Sequence, residues 1–246
     1  MNRLLIIDIE TYLYKSLTSC KVLKQDKVYK NIYFEAYDID KAILYLTNNL
    51  KRLMDTLQAE VSELVIGDEN NFRKIINPDY KKHRPAKPPI YKTILNLVNE
   101  KFNPISLQNL EADDICRILY EDNTFYPNYE KIIVSVDKDF FTVPCKFFRD
   151  LSNNKLIDIV DLDTAQYNLF KQIIMGDITD NYKGIPNYGE VKANKFLKFS
   201  KNEEDIIKLF EDHGLTKEDY LMNKYMAQLI SINQYDFKTG EVKYDR

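Results

Sequence analysis

An α/β fold with a mostly parallel sheet follows from three features of the chain. Short apolar runs recur and close on an aspartate, segments of helical periodicity alternate with them, and from Asp163 onward the pattern becomes helical. The first run, residues 4–9, reads as a buried strand. From Ile43 the apolar positions Leu46, Leu50, Leu53 and Leu57 step by three and four, the mark of an amphipathic helix. "ELVIGD" (63–68) is a second apolar run, and "HRPAKPP" (83–89), Pro-rich and basic, is a loop. "YKTILNLVNEKF" is a helix leading to a strand at "PISLQ". "EADDICRILYE" is a helix with acids in its first turn, where the macrodipole favours them. "KIIVSVD" (131–137) is a third run closed by an aspartate, with further strands at "KFFRD" and "KLIDIV". The helical pattern after Asp163 is broken by "GIPNYG" (184–189), and the closing "QYDFKTGEVKYDR" is either a disordered tail or a hairpin.

A length of 246 residues suits one α/β domain with a small appendage. With 44% hydrophobic and 30% charged residues, the chain is neither disordered nor membrane-spanning, since no apolar run approaches 18 residues. The start, Met-Asn-Arg, has no small-residue cleavage site, so no signal peptide is expected. Cys20, Cys116 and Cys145 are odd in number and lack metal-ligand spacing, which fits a reducing, cytoplasmic setting. The formal charge of −3 argues against a nucleic-acid partner only if the acids are spread evenly. Once nine carboxylates are set aside as a cluster, basic residues outnumber the remaining acids.

Those nine are Asp8, Asp68, Glu111, Asp113, Asp114, Asp137, Asp139, Asp177 and Asp180. Functional groups of parallel sheets gather beyond the carboxyl ends of the strands, where Asp8, Asp68 and Asp137 stand. Singly, each acid reads as a turn residue, a helix cap or a charged helix start. Packed together they repel, and divalent Mg²⁺ or Mn²⁺ with its preference for oxygen ligands relieves the repulsion. His83 and His213 are the only histidines, so zinc is disfavoured. Nine carboxylates suit two ions roughly 4 Å apart, the arrangement that hydrolyses phosphodiesters.

The opening "LLIIDIETYLYK" fits two nuclease types. An Asp-x-Glu strand end suits a 3′→5′ proofreading-type exonuclease, and a single Asp before a helix suits a 5′-nuclease. The first type also needs a late Tyr-x-x-x-Asp or His-x-x-x-x-Asp motif, and the chain has neither. Five stretches, in order, carry a resemblance to the 5′-nuclease (flap endonuclease) family of phage 5′→3′ exonucleases and the 5′-nuclease domain of DNA polymerase I. They are "IID", "GDENNFRKIINPDYKKHR", "LEADD", "SVDKDF" and "GDITDNYKGIPNYGEVKANKFL", and they run from residue 4 to about 200.

The resemblance implies a PIN-like nuclease core over 1–162, with a shortened helical arch or gateway within 70–104. It implies a helix–hairpin–helix-type (H3TH) DNA-binding region over 163–246. Asp8, Asp68, Glu111, Asp113 and Asp114 would surround a first Mg²⁺ or Mn²⁺, and Asp137, Asp139, Asp177 and Asp180 a second. Lys81 and Arg84 would meet the scissile phosphate, and Tyr80 would stack on a terminal base. Gly184 and Gly189 would let hairpin amides approach the backbone, with K⁺ at the hairpin, and Lys183, Lys192, Lys195 and Lys198 would attract duplex DNA.

The expected function is a two-metal-ion 5′→3′ exonuclease or flap endonuclease of replication or repair. Its substrates would be DNA with 5′ ends or flaps and RNA primers in RNA–DNA hybrids. A monomer is expected, with a replisome or single-strand-binding protein as partner. Three departures from the family pattern stand out: Ile9 where Gly is usual after the first Asp, Asn187 where Gly is common in the hairpin, and a short span between Arg84 and Glu111. The rivals are a non-catalytic junction-binding protein of the same fold, the 3′→5′ exonuclease, and a PIN-type ribonuclease, which would lack the hairpin.

Overall fold

Residues 2–150, 156–200 and 202–244 are described by the computed structural model. Leu4, Leu5, Ile6 and Ile7 are all fully buried in strand β1 (Arg3–Asp8), as a strand covered on both faces requires. Helix α1 (Glu10–Cys20) follows at once and runs into an antiparallel hairpin, β2 (Lys21–Gln25) and β3 (Tyr33–Tyr37), which no sequence pattern announced. Helix α2 (Ile39–Leu57) starts at Asp38, whose side chain accepts the Lys41 N–H, and buries Leu46, Leu50, Leu53 and Leu57 as the three–four spacing predicts. Strand β4 (Val61–Val65) lies parallel beside β1.

Two helices, α3 (Phe72–Ile76) and α4 (Ile90–Phe102), flank the turns of the gateway stretch. The strand expected at "PISLQ" is reduced to a single bridge between Ile105 and Val65. After it the backbone turns through Asn109 at φ 62° and spends its next N–H on the Asp68 side chain instead of extending the sheet. Helix α5 (Ala112–Glu121) leads to β5 (Glu130–Ser135), parallel to β1 on its other side. Strand β6 (Cys145–Arg149) continues parallel, and β7 (Asp158–Val160) closes the sheet antiparallel, in the order β4-β1-β5-β6-β7. Lys155, where "KLIDIV" begins, lies outside the described residues.

Next come helix α6 (Leu162–Met175), the paired short strands β8 (Gly176–Asp177) and β9 (Tyr182–Lys183), and helices α7 (Glu190–Leu197), α8 (Glu203–Asp212) and α9 (Lys217–Ala227). The chain ends in a small hairpin, β10 (Tyr235–Asp236) and β11 (Glu241–Val242), so the hairpin is the form the closing stretch takes. Residues 245–246 lie outside the described residues.

Alternate β1 side chains feed two cores. Leu5 and Ile7 pack with α1, α2 and α4, while Leu4 and Ile6 pack with α5. Leu229, Ile230 and Tyr235 belong to the second of these cores, so the chain returns to the sheet after α9. A third core, around Ile173, Ile174, Phe210 and Tyr220, holds α6–α9 together, and Tyr80 of the gateway packs into it. The catalytic-side segment is thereby anchored on the helical part.

Candidate active site

The carboxyl edge of the sheet opens into a cleft of about 540 Å³, walled by acids on the strand side and by Lys81, Arg84 and Lys87 of the gateway. Asp8, the last residue of β1, accepts the Ser135 hydroxyl at 3.0 Å and the Glu10 N–H at 3.0 Å. Burial, then the charge of Glu10, pushes its carboxyl up to about 7. Ile9 turns into the first core and takes no part in the cleft wall, so the departure from Gly leaves the site open. Glu10 itself lines the cleft.

Asp68 comes off the end of β4 and accepts the N–H groups of Asn70 (3.0 Å) and Asn109 (2.9 Å). The preceding Gly67 lies against the start of α5, where an added Cβ would sit 2.8 Å from the Ala112 nitrogen. Only glycine lets these two segments meet, and their meeting sets Asp68 beside Glu111 in the cleft wall.

Glu111, just before α5, accepts from Lys81 Nζ at 2.6 Å, Tyr80 Oη at 2.9 Å and an Arg73 terminal nitrogen at 3.1 Å. Burial alone would raise its carboxyl, but Lys81 and Arg73 outweigh burial and hold it near 2. At Asp113 the same two cations are outweighed. Burial, with Asp114 and Glu111 close by, lifts it well above the carboxylate range. Asp139 is raised to about 7 by burial and by Asp137 and Asp180. Carboxylate oxygens of Asp113, Asp137 and Asp139 all lie within 4.8 Å of one another. Three oxygen-only donors at that spacing fit a hard divalent cation, and no His or Cys is among the described residues that line the cleft.

Asp177 and Asp180 stand beside this trio but join no such group of three among the described residues. Asp177 pairs with Lys138 at 3.1 Å, and Asp180 with Arg84 at 2.6 Å. Lys81 adopts φ 56°, and its N–H donates to the Asp180 carbonyl at 3.0 Å. Burial works against its ammonium, but Glu111, Asp113 and Asp180 keep it charged above the usual lysine range. The gateway cations thus rest on the same acids that ring the cleft.

One expectation needs correction. Tyr80 does not present its ring to a base: it is buried in the third core, with its hydroxyl 2.9 Å from Glu111 and 3.2 Å from Asp180. Asp114 does not line the cleft wall, yet its carboxylate lies within 4.8 Å of those of Glu111 and Asp113, a second acidic group able to hold a metal ion. It is fully buried, and its oxygens are taken by Arg73 (2.6 and 2.8 Å), the Glu111 N–H and the Ile230 N–H. Arg73 is the residue the sequence failed to assign. It lay inside the quoted "NFRK", yet only the fold reveals a buried guanidinium there. Ser135 and Asn109, which hold Asp8 and Asp68, left no separate trace in the sequence.

Beyond the cleft, the hairpin between α6 and α7 is closed by contacting glycine backbones. A Cβ on Gly184 would lie 2.2 Å from the Ile174 carbonyl oxygen, and one on Gly176 2.2 Å from the Gly184 nitrogen. Asn187 sits at φ 60°, the left-handed geometry that asparagine tolerates in place of glycine. No protein atom would meet a Cβ on Gly189 within 4 Å, so the space over the α7 N-terminus is open. Lys192 donates to the Asn187 carbonyl at 2.9 Å, while Lys183, Lys195 and Lys198 are exposed, with no acidic partner among the described residues.

The family model described as "5′-3′ exonuclease, N-terminal resolvase-like domain" matches residues 3–166, from β1 to the first turn of α6. The chain belongs to this family. The exonuclease of Escherichia phage T7 is 29% identical over 215 residues, covering 73% of this chain and 71% of its own length. Flap endonuclease Xni of Shewanella oneidensis is 27% identical over 199 residues, covering 71% and 76%. The fold is also that of the T5 5′-exonuclease solved with bound divalent metal ions (zinc), at TM-score 0.66 and 15% identity over 93% of this chain and 90% of that one. The catalytic core of Rad2 in complex with DNA substrate superposes at TM-score 0.52 and 13% identity, covering 87% and 65%. The family match stops at 166, so the hairpin and the helices after it stand on the relatives and the fold.

Proposed function

We propose that this family member is a structure-specific 5′-nuclease, a 5′→3′ exonuclease and flap endonuclease that hydrolyses DNA phosphodiesters at 5′ ends or flaps. The observation that carries this is the trio Asp113, Asp137 and Asp139, crowded within 4.8 Å, with Asp113 and Asp137 in the wall of the cleft that Lys81 and Arg84 also line. The acidic cluster holds divalent metal, with Mg²⁺ or Mn²⁺ as the ion. Asp8, Asp68, Glu111, Asp113 and Asp114 would serve one position, and Asp137, Asp139, Asp177 and Asp180 the other. Bound there, two ions supply electrostatic stabilisation of the charge developing on the phosphate and a more acidic attacking water.

The chain's own residues do the rest. Lys81 and Arg84 neutralise the scissile phosphate from the gateway side, and the strain stored at Lys81 fixes the direction of its side chain. Residues 1–162 carry the chemistry, and the helices after 163 grip duplex DNA through Lys183, Lys192, Lys195, Lys198 and the open amides by Gly189, with K⁺ at the hairpin. Hydrolysis leaves a 5′-phosphate and a 3′-hydroxyl, and RNA primers paired with DNA are a second substrate. A monomer serving replication or repair in the cytoplasm, alongside a single-strand-binding partner, completes the proposal. No helix is long and apolar enough to cross a membrane among the described residues.

A flap duplex labelled at its 5′ end in one tube and its 3′ end in another tests this. Mg²⁺-dependent release of the 5′ label as mono- or short oligonucleotides, abolished by EDTA, is expected. Shortening from the 3′ end would overturn the polarity, and a stable complex without cleavage would make the protein a junction binder.

A further inference from the structure

The chain's last stretch is wired to the floor of the cleft at two points. At the first, Arg73 is 1% exposed, and its guanidinium is fully engaged. It donates to Glu111 and Asp114 on one side and to the carbonyls of Met226 (3.2 Å) and Gln228 (2.8 Å) on the other. The Ile230 N–H closes the circuit on Asp114 at 2.8 Å. At the second point, the Asn109 side-chain amide donates to the Gly240 carbonyl at 2.9 Å, while the Asn109 backbone N–H donates to Asp68 at 2.9 Å. Tyr235 adds a bond from its hydroxyl to the Gln108 carbonyl at 3.1 Å.

Gly240, at φ 70°, is pressed so close that a Cβ would lie 2.8 Å from the Gln108 side-chain oxygen. Both anchored acids lie off the strands, Glu111 at a helix start and Asp68 in a loop, so sheet hydrogen bonds do not fix them.

We propose that residues 226–240 form a strap that positions Glu111 and Asp68 for metal, with Arg73 and Asn109 as the positioning residues that transmit it. This rests on the metal-dependent nuclease proposed above. Groups that hold a ligand from behind tune metal affinity by about ten- to a hundredfold, because they set where its oxygen points before the ion arrives. Arginine is required at the first junction because it meets two carboxylates and two carbonyls at once, more than the three N–H groups of lysine can reach.

The test uses full-length Asn109→Gly and Arg73→Lys. Glycine accepts the φ of 62° at position 109 and removes only the link to Gly240. Lysine keeps the charge at 73 and loses the strap carbonyls. Tyr126→Phe, which removes a hydrogen bond to Glu63 away from the cleft, controls for general destabilisation. Mn²⁺ binding is read from the electron paramagnetic resonance signal of the free ion, beside duplex binding in EDTA and Mg²⁺-dependent cleavage.

Both strap variants should bind Mn²⁺ about tenfold more weakly, with duplex binding unchanged and Tyr126→Phe like wild type. Wild-type Mn²⁺ affinity in Asn109→Gly, or an equal loss in Tyr126→Phe, overturns the strap; Asn109→Gly decides alone if Arg73→Lys does not fold. Wild-type behaviour separates the two proposals. A wild type that neither binds Mn²⁺ nor cleaves removes the nuclease, whereas a cleaving wild type beside unaffected variants removes only the strap.

Discussion

The carboxylates along the sheet edge are crowded and partly buried, whereas the lysines around the Gly184–Gly189 hairpin stand exposed and apart. Asp8, Asp113 and Asp139 are held in a form whose charge the fold resists. Lys183, Lys195 and Lys198 are exposed and without acidic partners among the described residues. A crowded site discriminates, since only a compact divalent cation satisfies several converging oxygens. A solvated lysine does not, since any phosphate satisfies it. Chemistry therefore belongs at the sheet edge and sequence-independent grip at the hairpin, with the gateway, rooted in the helical core by Tyr80, between them.

The contrast breaks most sharply at Asp113. Replacing it with asparagine should lower the cleavage rate by about a thousandfold, the scale of losing a dominant electrostatic contribution, while duplex binding stays as in wild type. Cleavage at the wild-type rate would remove Asp113 from the centre. A smaller effect is expected on the other side. Lys192→Glu with Lys195→Glu should weaken duplex binding about tenfold and flatten the plot of log affinity against log salt by about two. The cleavage rate at saturating DNA should hold, and an unchanged salt slope would place the duplex elsewhere.

The smallest effect concerns stability. Asp8 and Asp139 titrate near 7 in the folded chain, against 3.8 for an ordinary aspartate. The folded state then binds more protons than the unfolded one between those values, so stability falls as the pH rises from about 4 to about 7. Melting in EDTA should drop by about 4 °C between pH 6.5 and pH 7.5, and excess Mg²⁺ should restore it. A flat profile in EDTA would mean that the acids are not under strain.

The strand-end acids were legible because each rests on a local pattern, an apolar run closed by a carboxylate at Asp8, Asp68 or Asp137. The buffered helix of "EADD" was legible for the same reason. The β2–β3 hairpin was not, because lysines and aromatics interrupt any alternation over 21–37. Tyr80 was misplaced, and the depth at which Asp114 sits was not foreseen, because both depend on partners distant in the chain. The Tyr80 hydroxyl turns inward to Asp180, and Asp114 is claimed by Arg73 and by the Ile230 N–H. The closing stretch stayed open between tail and hairpin for the same reason, since what orders it is Gln108 and Asn109, on the far side of the sequence.

The most direct test of the account is the anomalous scattering of Mn²⁺ soaked into crystals of the wild-type protein. A strong peak is expected in direct contact with carboxylate oxygens of Asp113, Asp137 and Asp139. Well-ordered Mn²⁺ elsewhere, with none among those three carboxylates, would contradict it.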